Sequence, residues 1–534
     1  MRGHASVLRP APGALSARQT SRAAPASRGL AGRVRRIRRL LVAAADGVPP
    51  AAEEPSPPPP RGSPSLSALA LSASQAAARA YSSLRDNFAA AYQKHGKSAR
   101  MAGIAGRPGQ QHAGVPVLLV EASDGVGGRV RTDEVEGFLL DRGFQIFLTS
   151  YPEAQAALDY PALDLQPFYA GALVRFAGGF HTVADPFRHM VDALGSLSPS
   201  HPIGSPADKI KVGLFRLKSL LGSLEDLLAA PEVTTLQRLR EEGFSEAIID
   251  RFFRPFLGGI FFDRSLGVTS RIFAFVMRML ATGQNCLPAD GIGVVSDQLA
   301  SRLPASAIRL NCAAAAVAPA GAAGGPAVTL ADGTQLAAGA VVVAVEGPEA
   351  ARLLGPVLEA SPSKAAAGVG TCCLYFKAPR PARPGNTLYL DGEGKGIVNN
   401  MCFPSEVSRS YAPAGQTLVS VSTIGTLPEL SEGELVAAVK AELGGWFGAG
   451  EVAGWQHLKT YRIPFAQPGQ APPTNLDRPV SLGGGLYVCG DHRATATLDG
   501  ALTSGRLAAE AVLAARRQGG GKAGVEAAAA AAAQ

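Results

Sequence analysis

The sequence has little charge and lacks the patterns that mark metal sites, disulfide frameworks and membrane spans. Charged residues make up 18% of the 534 residues and hydrophobic residues 46%, a balance typical of a globular chain. Its six cysteines form no CxxC pair and its eight histidines form no HExxH motif. No run approaches the roughly 20 consecutive apolar residues that a spanning helix needs. We therefore expect a globular protein without a metal site, whose cysteines are reduced and pack as small apolar residues.

The first 45 residues contain no aspartate, glutamate or lysine, although they hold ten arginines. They are also rich in alanine and serine, a composition typical of an organelle transit peptide. Without these arginines, 41 basic residues face 43 acidic ones, so the net charge of +8 gives no indication of a nucleic-acid surface. We predict a transit peptide over residues 1–45, and a disordered basic tail is the alternative.

Three further stretches lie outside the predicted catalytic fold. Residues 46–66 are too rich in proline for a helix or a sheet interior, which predicts a linker. Residues 69–92 are a weakly amphipathic helix candidate that either packs on the fold, as we expect, or contacts a membrane peripherally. Residues 46–100 are therefore predicted to be a linker with a helix, and residues 516–534 a low-complexity tail.

An early stretch of the chain carries the clearest chemical signal. Val117–Val120 is an apolar run that predicts a buried parallel strand, and it ends on the acid Glu121. In a dinucleotide-binding unit, an acid at this point accepts hydrogen bonds from ribose hydroxyls. Gly127 and Gly128 let the backbone come close to a ligand. Arg129 then offers a planar cation to a phosphate.

A second signal stands near the C-terminus. Residues 485–489 predict a strand that runs into Gly490 and Asp491. Gly490 lets the chain approach a cofactor, and Asp491 can accept a hydrogen bond from a hydroxyl group. Gly500 and Ala501 follow at the predicted start of a helix, whose N-terminal amides favour negative charge on a bound group.

The two signals together resemble the flavin-containing amine oxidase superfamily, which includes phytoene desaturases, carotenoid isomerases and protoporphyrinogen oxidases. The resemblance lies in the order strand, acid, Gly-Gly-Arg, and in a late Gly-Asp followed by Gly-Ala-x-x-Ser-Gly. It covers roughly residues 101–515 and implies FAD as the cofactor. It also implies an α/β fold, in which a Rossmann-like FAD-binding domain carries an inserted mixed α+β substrate domain.

Both domains are discontinuous if the resemblance holds. The FAD-binding domain is then built from residues 101–170, 286–360 and 481–515. The substrate domain is built from residues 171–285 and 361–480. The resemblance further implies that Val317 contacts adenine through its backbone.

The glycine loop expected before the first signal is incomplete. Gly103 and Gly106 resemble the last two glycines of that loop, and the resemblance implies that they help to hold the pyrophosphate. Met101 stands where the first glycine is expected, and the residues before it are too polar for a buried strand. Either a piece of coding sequence is missing here or the site is degenerate.

The substrate half offers no clear catalytic residue. Lys459 and His457 are candidates for an active-site base, but we expect them to be solvated loop residues. The absence of a nameable acid or base agrees with direct hydride transfer, in which the flavin carries the chemistry. Seven phenylalanines line either a pocket for a large apolar substrate or, as we expect, the domain core: Phe252, Phe253, Phe256, Phe261, Phe262, Phe273 and Phe275.

The resemblance therefore implies an FAD-dependent oxidoreductase of a bulky apolar substrate, of the polyene or tetrapyrrole type. Oxygen or a quinone-type acceptor would reoxidise the flavin. The transit-peptide composition suits either the chloroplast or the mitochondrion, and the resemblance favours the chloroplast. A flavin amine oxidase, and a non-catalytic flavin-fold protein whose glycine loop is degenerate, are the alternative functions.

Overall fold

Helices and strands alternate along the described part of the chain. The computed structural model describes residues 115–321, 324–359, 368–476 and 478–532. The predicted transit peptide, linker and 69–92 helix, together with Gly103 and Gly106, lie outside these residues.

The strands are short except in the second half of the chain. They are β1 Leu119–Val120, β2 Thr132–Val135, β3 Phe138–Asp141, β4 Phe147–Leu148, β5 Leu165–Pro167, β6 Gly171–Phe176, β7 Gly179–Ala184, β8 Asn285–Pro288, β9 Ile308–Arg309, β10 Ala314–Ala318, β11 Ala327–Leu330, β12 Gln335–Ala337, β13 Val341–Val343, β14 Gly368–Ala378, β15 Leu388–Asp391, β16 Val398–Cys402, β17 Thr417–Thr423, β18 Gln456–Pro468, β19 Ser481–Gly483 and β20 Leu486–Val488.

The helices cluster between β7 and β8 and at the C-terminus. They are Pro152–Ala157, Tyr160–Leu163, Met190–Ser196, Pro206–Ser219, Leu224–Leu228, Thr235–Glu241, Glu246–Ile248, Arg254–Phe261, Ser270–Thr282, Val294–Ala300, Gly347–Leu354, Pro356–Glu359, Pro404–Val407, Glu432–Phe447, Ala449–Ala453 and Leu498–Ala532. A π-helical turn, Ile249–Phe253, joins two of them. Within the described residues, no helix is both long enough and apolar enough to cross a bilayer.

A seven-stranded sheet joins the two segments that are predicted to form the substrate domain, in the order β18-β14-β17-β16-β15-β6-β7. Neighbouring strands are antiparallel except β6 and β15, which are parallel. Side chains of β14 alternate between the two faces, as the two-residue period of a strand requires. Leu374 and Phe376 pack towards the helix Glu432–Phe447, while Cys373 and Tyr375 pack towards the β2–β3 hairpin. Both faces of the sheet are therefore covered.

Two parallel strand pairs form the other half: β1 with β9, and β13 with β20. A parallel strand was predicted over Val117–Val120, and β1 is indeed a parallel strand. It is shorter than predicted, at Leu119–Val120, and it is not buried. Val117 and Leu118 are exposed, because β1 has a single neighbouring strand among the described residues. In β13, Val341 and Val343 are buried and Val342 is exposed.

The helices between β7 and β8 enclose an aromatic core. Four of the seven phenylalanines, Phe253, Phe261, Phe273 and Phe275, are buried in it, which confirms the core expectation for them. The other three are partly exposed; two of them, Phe252 and Phe256, stack on each other with ring centroids 5.3 Å apart. Five of the six cysteines are likewise buried as small apolar residues.

Two local features follow from their residues. The β6–β7 hairpin turns at Ala177 and Gly178, both at positive φ. Ser431 caps the helix Glu432–Phe447 and forms a capping box with Glu434.

Candidate functional site

Arg129 and Asp491 bring the two sequence signals together. The guanidinium binds the carboxylate through two contacts, Nη2 to Oδ1 at 3.0 Å and Nη1 to Oδ2 at 2.9 Å. Arg129 also donates to the carbonyl oxygen of Ala466 in β18 at 2.7 Å and lies over the Phe465 ring. One side chain therefore joins the Gly-Gly-Arg loop, the Gly-Asp loop and the substrate sheet.

The two adjacent glycines of the first loop face different surroundings. Gly127 has φ +104, and a Cβ there would lie 2.6 Å from the Ser296 hydroxyl and 2.5 Å from the Val130 carbonyl. It therefore lets the loop pack against the helix Val294–Ala300. Gly128 would have no atom within 4 Å of an added Cβ, so its backbone faces open space. Gly128 is the glycine of the pair that a ligand can approach.

Glu121 is held in place by the loop that follows it. Its Oε1 accepts hydrogen bonds from the backbone amide of Ser123 at 2.8 Å and from the Ser123 hydroxyl at 2.7 Å. Arg131, the second cation of the loop, binds Asp124 at 2.8 Å and is directed away from Arg129's partners. The carboxylate is thus fixed at the end of β1, where a ribose hydroxyl is expected to donate to it.

Ser504 holds the Gly-Asp loop by hydrogen bonds to the backbone of Gly490. The Ser504 hydroxyl accepts from the amide of Gly490 at 2.9 Å and lies 2.9 Å from its carbonyl oxygen. Gly490 has φ +142, and a Cβ there would lie 2.6 Å from the His492 ring. Neither Ser504 nor His492 was singled out from the sequence, although Ser504 belongs to the Gly-Ala-x-x-Ser-Gly pattern.

His492 is buried, and neither ring nitrogen has a hydrogen-bond partner among the described residues. Burial lowers the pKa of this histidine to about 4, against the opposing charge of Asp491, so its imidazole is neutral at physiological pH. Buried polar groups are normally paired. An unpaired imidazole beside Gly490 therefore indicates a place for a polar group from a bound molecule.

The helix predicted to open at Gly500 begins at Leu498. The Gly500 amide donates to the Thr497 hydroxyl at 3.0 Å, and the Ala501 amide donates to the Thr497 carbonyl oxygen at 3.0 Å. A Cβ at Gly500 would lie 1.9 Å from the Thr495 carbonyl oxygen, so only glycine fits there. Both predicted amides are therefore bonded within the helix start.

Val317 lies in β10, opposite Val328, and packs against the apolar cluster of β13 and β20. It belongs to the small three-stranded sheet β10-β11-β12, while Glu121, Gly128 and Asp491 lie in the loops at the ends of the parallel strands. The roles predicted for these residues in cofactor binding stay predictions.

A sequence profile of the family described as flavin-containing amine oxidoreductases matches residues 110–513, well over half of the chain. The chain belongs to this family. A search of curated proteins found no match.

Solved structures share the fold of this amine oxidoreductase at low sequence identity. A candidate protoporphyrinogen oxidase from Exiguobacterium sp. is 16% identical, with a TM-score of 0.56, and the match covers 74% of this chain and 92% of that one. Cyclohexylamine oxidase from Brevibacterium oxydans is 16% identical, with a TM-score of 0.54 and coverage of 75% and 93%. An oxidoreductase from Methanosarcina mazei is 15% identical, with a TM-score of 0.53 and coverage of 75% and 94%. At these identities the likeness shows the fold alone.

The amine oxidoreductase family uses FAD, and the described residues fit this cofactor. Glu121 at the end of β1 would receive the adenosine ribose, and Gly128 leaves its backbone open to a ligand. The Gly490 loop offers Asp491 as an acceptor and the unpaired His492 imidazole as a further polar contact. Gly103 and Gly106, which are predicted to hold the pyrophosphate, lie outside the described residues.

Asp141 lies where the segments predicted to bind FAD meet the seven-stranded sheet, a surface that we call the junction. Its carboxylate accepts from the Thr132 hydroxyl at 2.7 Å, the Ile292 amide at 2.9 Å and the Tyr411 hydroxyl at 3.0 Å. Its carbonyl oxygen accepts from the Tyr375 hydroxyl at 2.9 Å. Burial raises the pKa of Asp141 to about 6, although these hydrogen bonds to the carboxylate oppose the shift.

Asp133 is the second acid of the junction. It accepts from Arg142 at 2.8 and 3.0 Å, from the Lys459 ammonium at 3.0 Å and from the Tyr461 hydroxyl at 2.7 Å. Burial alone would raise the pKa of Asp133. These contacts outweigh burial and hold the pKa of Asp133 well below its usual range. The expectation that Lys459 and His457 are solvated loop residues is wrong, because both lie in β18 and Lys459 is ion-paired.

Asp499 was also missed by sequence reasoning. Its carboxylate accepts from the amides of Glu153 at 2.8 Å and Ala154 at 3.2 Å, which are among the unpaired amides at the start of the helix Pro152–Ala157. Burial raises its pKa to about 6. The residue therefore ties the C-terminal helix to the segment that follows β4.

Proposed function

We propose that this amine oxidoreductase uses FAD to dehydrogenate a bulky apolar substrate, of the polyene or tetrapyrrole type, in the chloroplast. The family and the cofactor follow from the sequence profile and from the fitting residues described above. The substrate class is supported by one observation, the pairing of the buried acids at the junction. Oxygen or a quinone-type acceptor is proposed to reoxidise the flavin.

Three acids at or near the junction, Asp133, Asp141 and Asp491, are engaged by protein partners. Asp133 binds Lys459 and Arg142, and Asp491 binds Arg129 in a bidentate pair. Asp141 is buried with three hydrogen-bond donors around its carboxylate. A carboxylate that is already ion-paired, or that already accepts several hydrogen bonds, has little left to offer a substrate ammonium, whose burial requires an opposite charge. The junction therefore favours an uncharged, apolar substrate over an amine.

FAD, when bound, supplies the hydride acceptor for a substrate C–H bond. The residues of the chain orient the partners and exclude water. Ile463 and Phe465 of β18 face the FAD-binding half: an added Cβ at Gly143 would lie 2.7 Å from Ile463 Cδ1, and Phe465 stacks under Arg129. Tyr461 is held by Asp133, so its phenol is a hydrogen-bond donor and not a free base. The chain thus provides an apolar wall with fixed polar groups at its edge.

A flavin amine oxidase is the second candidate, and one observation favours it. Tyr375 and Tyr461 form an aromatic pair at the junction, with ring centroids 6.0 Å apart. Aromatic faces attract organic cations. However, the two rings are nearly perpendicular, at 87°, and both hydroxyls are bound to protein acceptors, so the pair does not form two parallel walls around an amine.

Anaerobic reduction of the bound flavin tests the substrate class. The purified full-length protein, reconstituted with FAD, would be mixed under argon with a carotenoid precursor, a porphyrinogen or a polyamine, and the visible flavin absorbance would be followed. We expect bleaching by a polyene or a porphyrinogen and none by the polyamine. Bleaching by the polyamine alone would establish the amine oxidase instead. Failure to retain FAD after reconstitution would identify the non-catalytic alternative.

The proposed location has its own test. A fusion of residues 1–45 to a fluorescent protein should enter chloroplasts and be shortened by cleavage. Fluorescence in mitochondria would indicate the alternative organelle. Fluorescence that stays in the cytosol, with no cleavage, would contradict the transit peptide.

A further inference from the structure

Polar side chains cross the seven-stranded sheet in one row. Asn400 in β16 pairs with Ser422 in β17, Ser422 pairs with Cys373 in β14, and Cys373 pairs with Tyr461 in β18. Directly opposite residues of neighbouring strands share a face of the sheet, with their Cβ atoms about 4.5–5.5 Å apart. These four side chains therefore form one continuous row, which we call the polar row.

The polar row faces the junction and not the helix Glu432–Phe447. Met401 in β16 and Val421 in β17 belong to the apolar cluster that packs on this helix. Side chains alternate between the two faces along a strand, so Asn400 and Ser422, the neighbours of these two residues in sequence, point to the opposite face. That face is the one that meets the β2–β3 hairpin.

Two members of the polar row are buried while part of their hydrogen-bonding capacity stays unused. Ser422 is 6% exposed, and its hydroxyl has no hydrogen-bond partner among the described residues. Asn400 is 4% exposed, and its Oδ1 accepts from the Asn399 amide nitrogen at 2.9 Å. The amide nitrogen of Asn400 itself donates to no described residue. Because buried polar groups are normally paired, the two side chains indicate a place for a polar group from a bound molecule.

Ser422 lies between two elements that cover the neighbouring members of the row. The helix after the π-helical turn lies on Asn400, where an added Cβ at Gly259 would be 2.9 Å from the Asn400 Oδ1. Phe144, in the loop after β3, packs against the cluster that contains Cys373. The Ser422 hydroxyl therefore points between this helix and this loop.

The loop after β3 also contacts one of the predicted cofactor loops. Gln145 follows Phe144 and donates to the Arg129 carbonyl oxygen at 2.8 Å. A molecule that is bound at Ser422 would therefore border the loop that holds the Gly-Gly-Arg loop in place.

We propose that Ser422, with Asn400 beside it, hydrogen-bonds a neutral polar group of the substrate, which makes the substrate a tetrapyrrole, with its pyrrole N–H groups, and not a hydrocarbon polyene. A serine hydroxyl can accept from a pyrrole N–H, and the amide nitrogen beside it supplies a further donor. A hydrocarbon would leave both side chains unpaired, and sites that are built to hydrogen-bond a substrate reject analogues without the matching group. The inference rests on the proposed function and narrows its substrate class.

Binding of a porphyrinogen to the full chain, loaded with FAD that has been reduced beforehand, tests the proposal without turnover. Reduced flavin cannot accept a hydride, so the ligand stays unchanged and is counted after filtration as the fluorescent porphyrin that forms on oxidation. We expect Ser422→Ala to raise the dissociation constant of the porphyrinogen by about tenfold. The matched control is Ser420→Ala, on the same face of β17, because the Ser420 hydroxyl already contacts the Cys373 thiol at 3.6 Å. It should bind the porphyrinogen like the parent.

Thermal unfolding separates a role in binding from a structural role of the same serine. Removing a buried hydroxyl that has no protein partner should leave the melting temperature of the ligand-free protein equal to that of the parent, or higher. A ligand that binds the folded protein raises the melting temperature. The rise that the porphyrinogen causes should therefore be smaller in Ser422→Ala than in the parent.

Equal porphyrinogen binding by the parent and Ser422→Ala would overturn the proposal, and so would an equal loss of binding in Ser420→Ala. A parent that binds no porphyrinogen, but whose flavin is bleached by a carotenoid precursor, would also overturn it while the proposed function stands. Porphyrinogen binding that depends on Ser422, without reduction of the oxidised flavin by any candidate substrate, would support the binding site and contradict the proposed function.

Discussion

The Arg129 guanidinium and the Asp491 carboxylate bind each other in a bidentate pair, although 362 residues separate them. The sequence assigned each of them to a different part of the cofactor, the arginine to a phosphate and the aspartate to a hydroxyl group. In the structure, each of the two side chains is instead the hydrogen-bond and charge partner of the other. Each Asp491 oxygen retains a lone pair with which it can still accept from a ligand. The pair therefore fixes the Gly-Gly-Arg loop against the Gly-Asp loop.

Replacing Arg129 should weaken FAD binding. The substitution Arg129→Lys keeps the charge but loses the planar fork that reaches both Asp491 oxygens and Ala466. We expect the FAD dissociation constant to rise by about tenfold, as measured by recovery of flavin fluorescence on dilution. Arg240→Lys is the control, because its ion pair with Glu246 is exposed and lies outside the predicted cofactor loops. Equal FAD affinity in the two variants would show that the Arg129 pair does not contribute to FAD binding.

Ser504→Ala should destabilise the protein and its Gly-Asp loop together. The buried Gly490 amide would lose its partner, which costs about 1–3 kcal/mol. We expect a lower melting temperature in thermal unfolding and faster FAD release. Ser301→Ala, which removes an exposed hydroxyl bonded to a neighbouring carbonyl, should leave both quantities unchanged. A Ser504→Ala variant with the parent's stability would contradict this role.

Asp141 should make stability fall as the pH rises. Its pKa is about 6 in the folded protein against 3.8 in the unfolded chain, so the folded state holds its proton more tightly. The stabilisation is complete below about pH 3.8 and is lost as the pH rises through about 6, with a maximum near 3 kcal/mol.

Asp141→Asn removes this titration and should gain stability relative to the parent between pH 4 and 7, as measured by melting temperature at several pH values. Asp250→Asn, at an exposed ion pair with Arg254, should follow the parent across the series. A difference between Asp141→Asn and the parent that does not grow with pH would disprove the protonation argument. Asp499 titrates in the same direction, because burial also raises its pKa to about 6.

Lys459 is expected to act as an ion-pair partner of Asp133 and not as the active-site base. Lys459→Arg keeps the positive charge beside Asp133 but cannot give up a proton near neutral pH. The rate of flavin reduction by the substrate should therefore change less than a few-fold. A loss of about a hundredfold or more, with Lys377→Arg unaffected, would identify Lys459 as the base.

The sequence predicted which segments approach the cofactor because their motifs are short and local. Gly127, Gly128 and Glu121 belong to one turn after a strand, and the Gly-Asp loop belongs to another. The pattern could not reveal that Arg129 binds Asp491, since that contact depends on how distant loops meet in the folded chain. The same holds for Asp141, whose partners come from β2, the loop after β8 and the Arg409–Tyr411 turn.

Errors in the predicted strands arise because burial and strand register depend on neighbouring strands, which the sequence of one segment does not reveal. The apolar run at Val117 indicates a strand, but its burial depends on how many strands lie beside it. Lys459 was expected in a solvated loop, whereas it lies in β18, a strand that also contains Pro464, although proline is unusual inside a sheet. In the structure, β18 accommodates Pro464 where its register with β14 shifts between Val369 and Thr371.

The strand order of the large sheet constrains how the protein is made. The β6–β7 hairpin is complete early in synthesis, but its partner β15 begins only at Leu388. One edge of the hairpin therefore stays unpaired until most of the polypeptide has left the ribosome. Pairing across such a sequence separation is slow. A chaperone that shields this edge during synthesis would therefore raise the yield of folded protein.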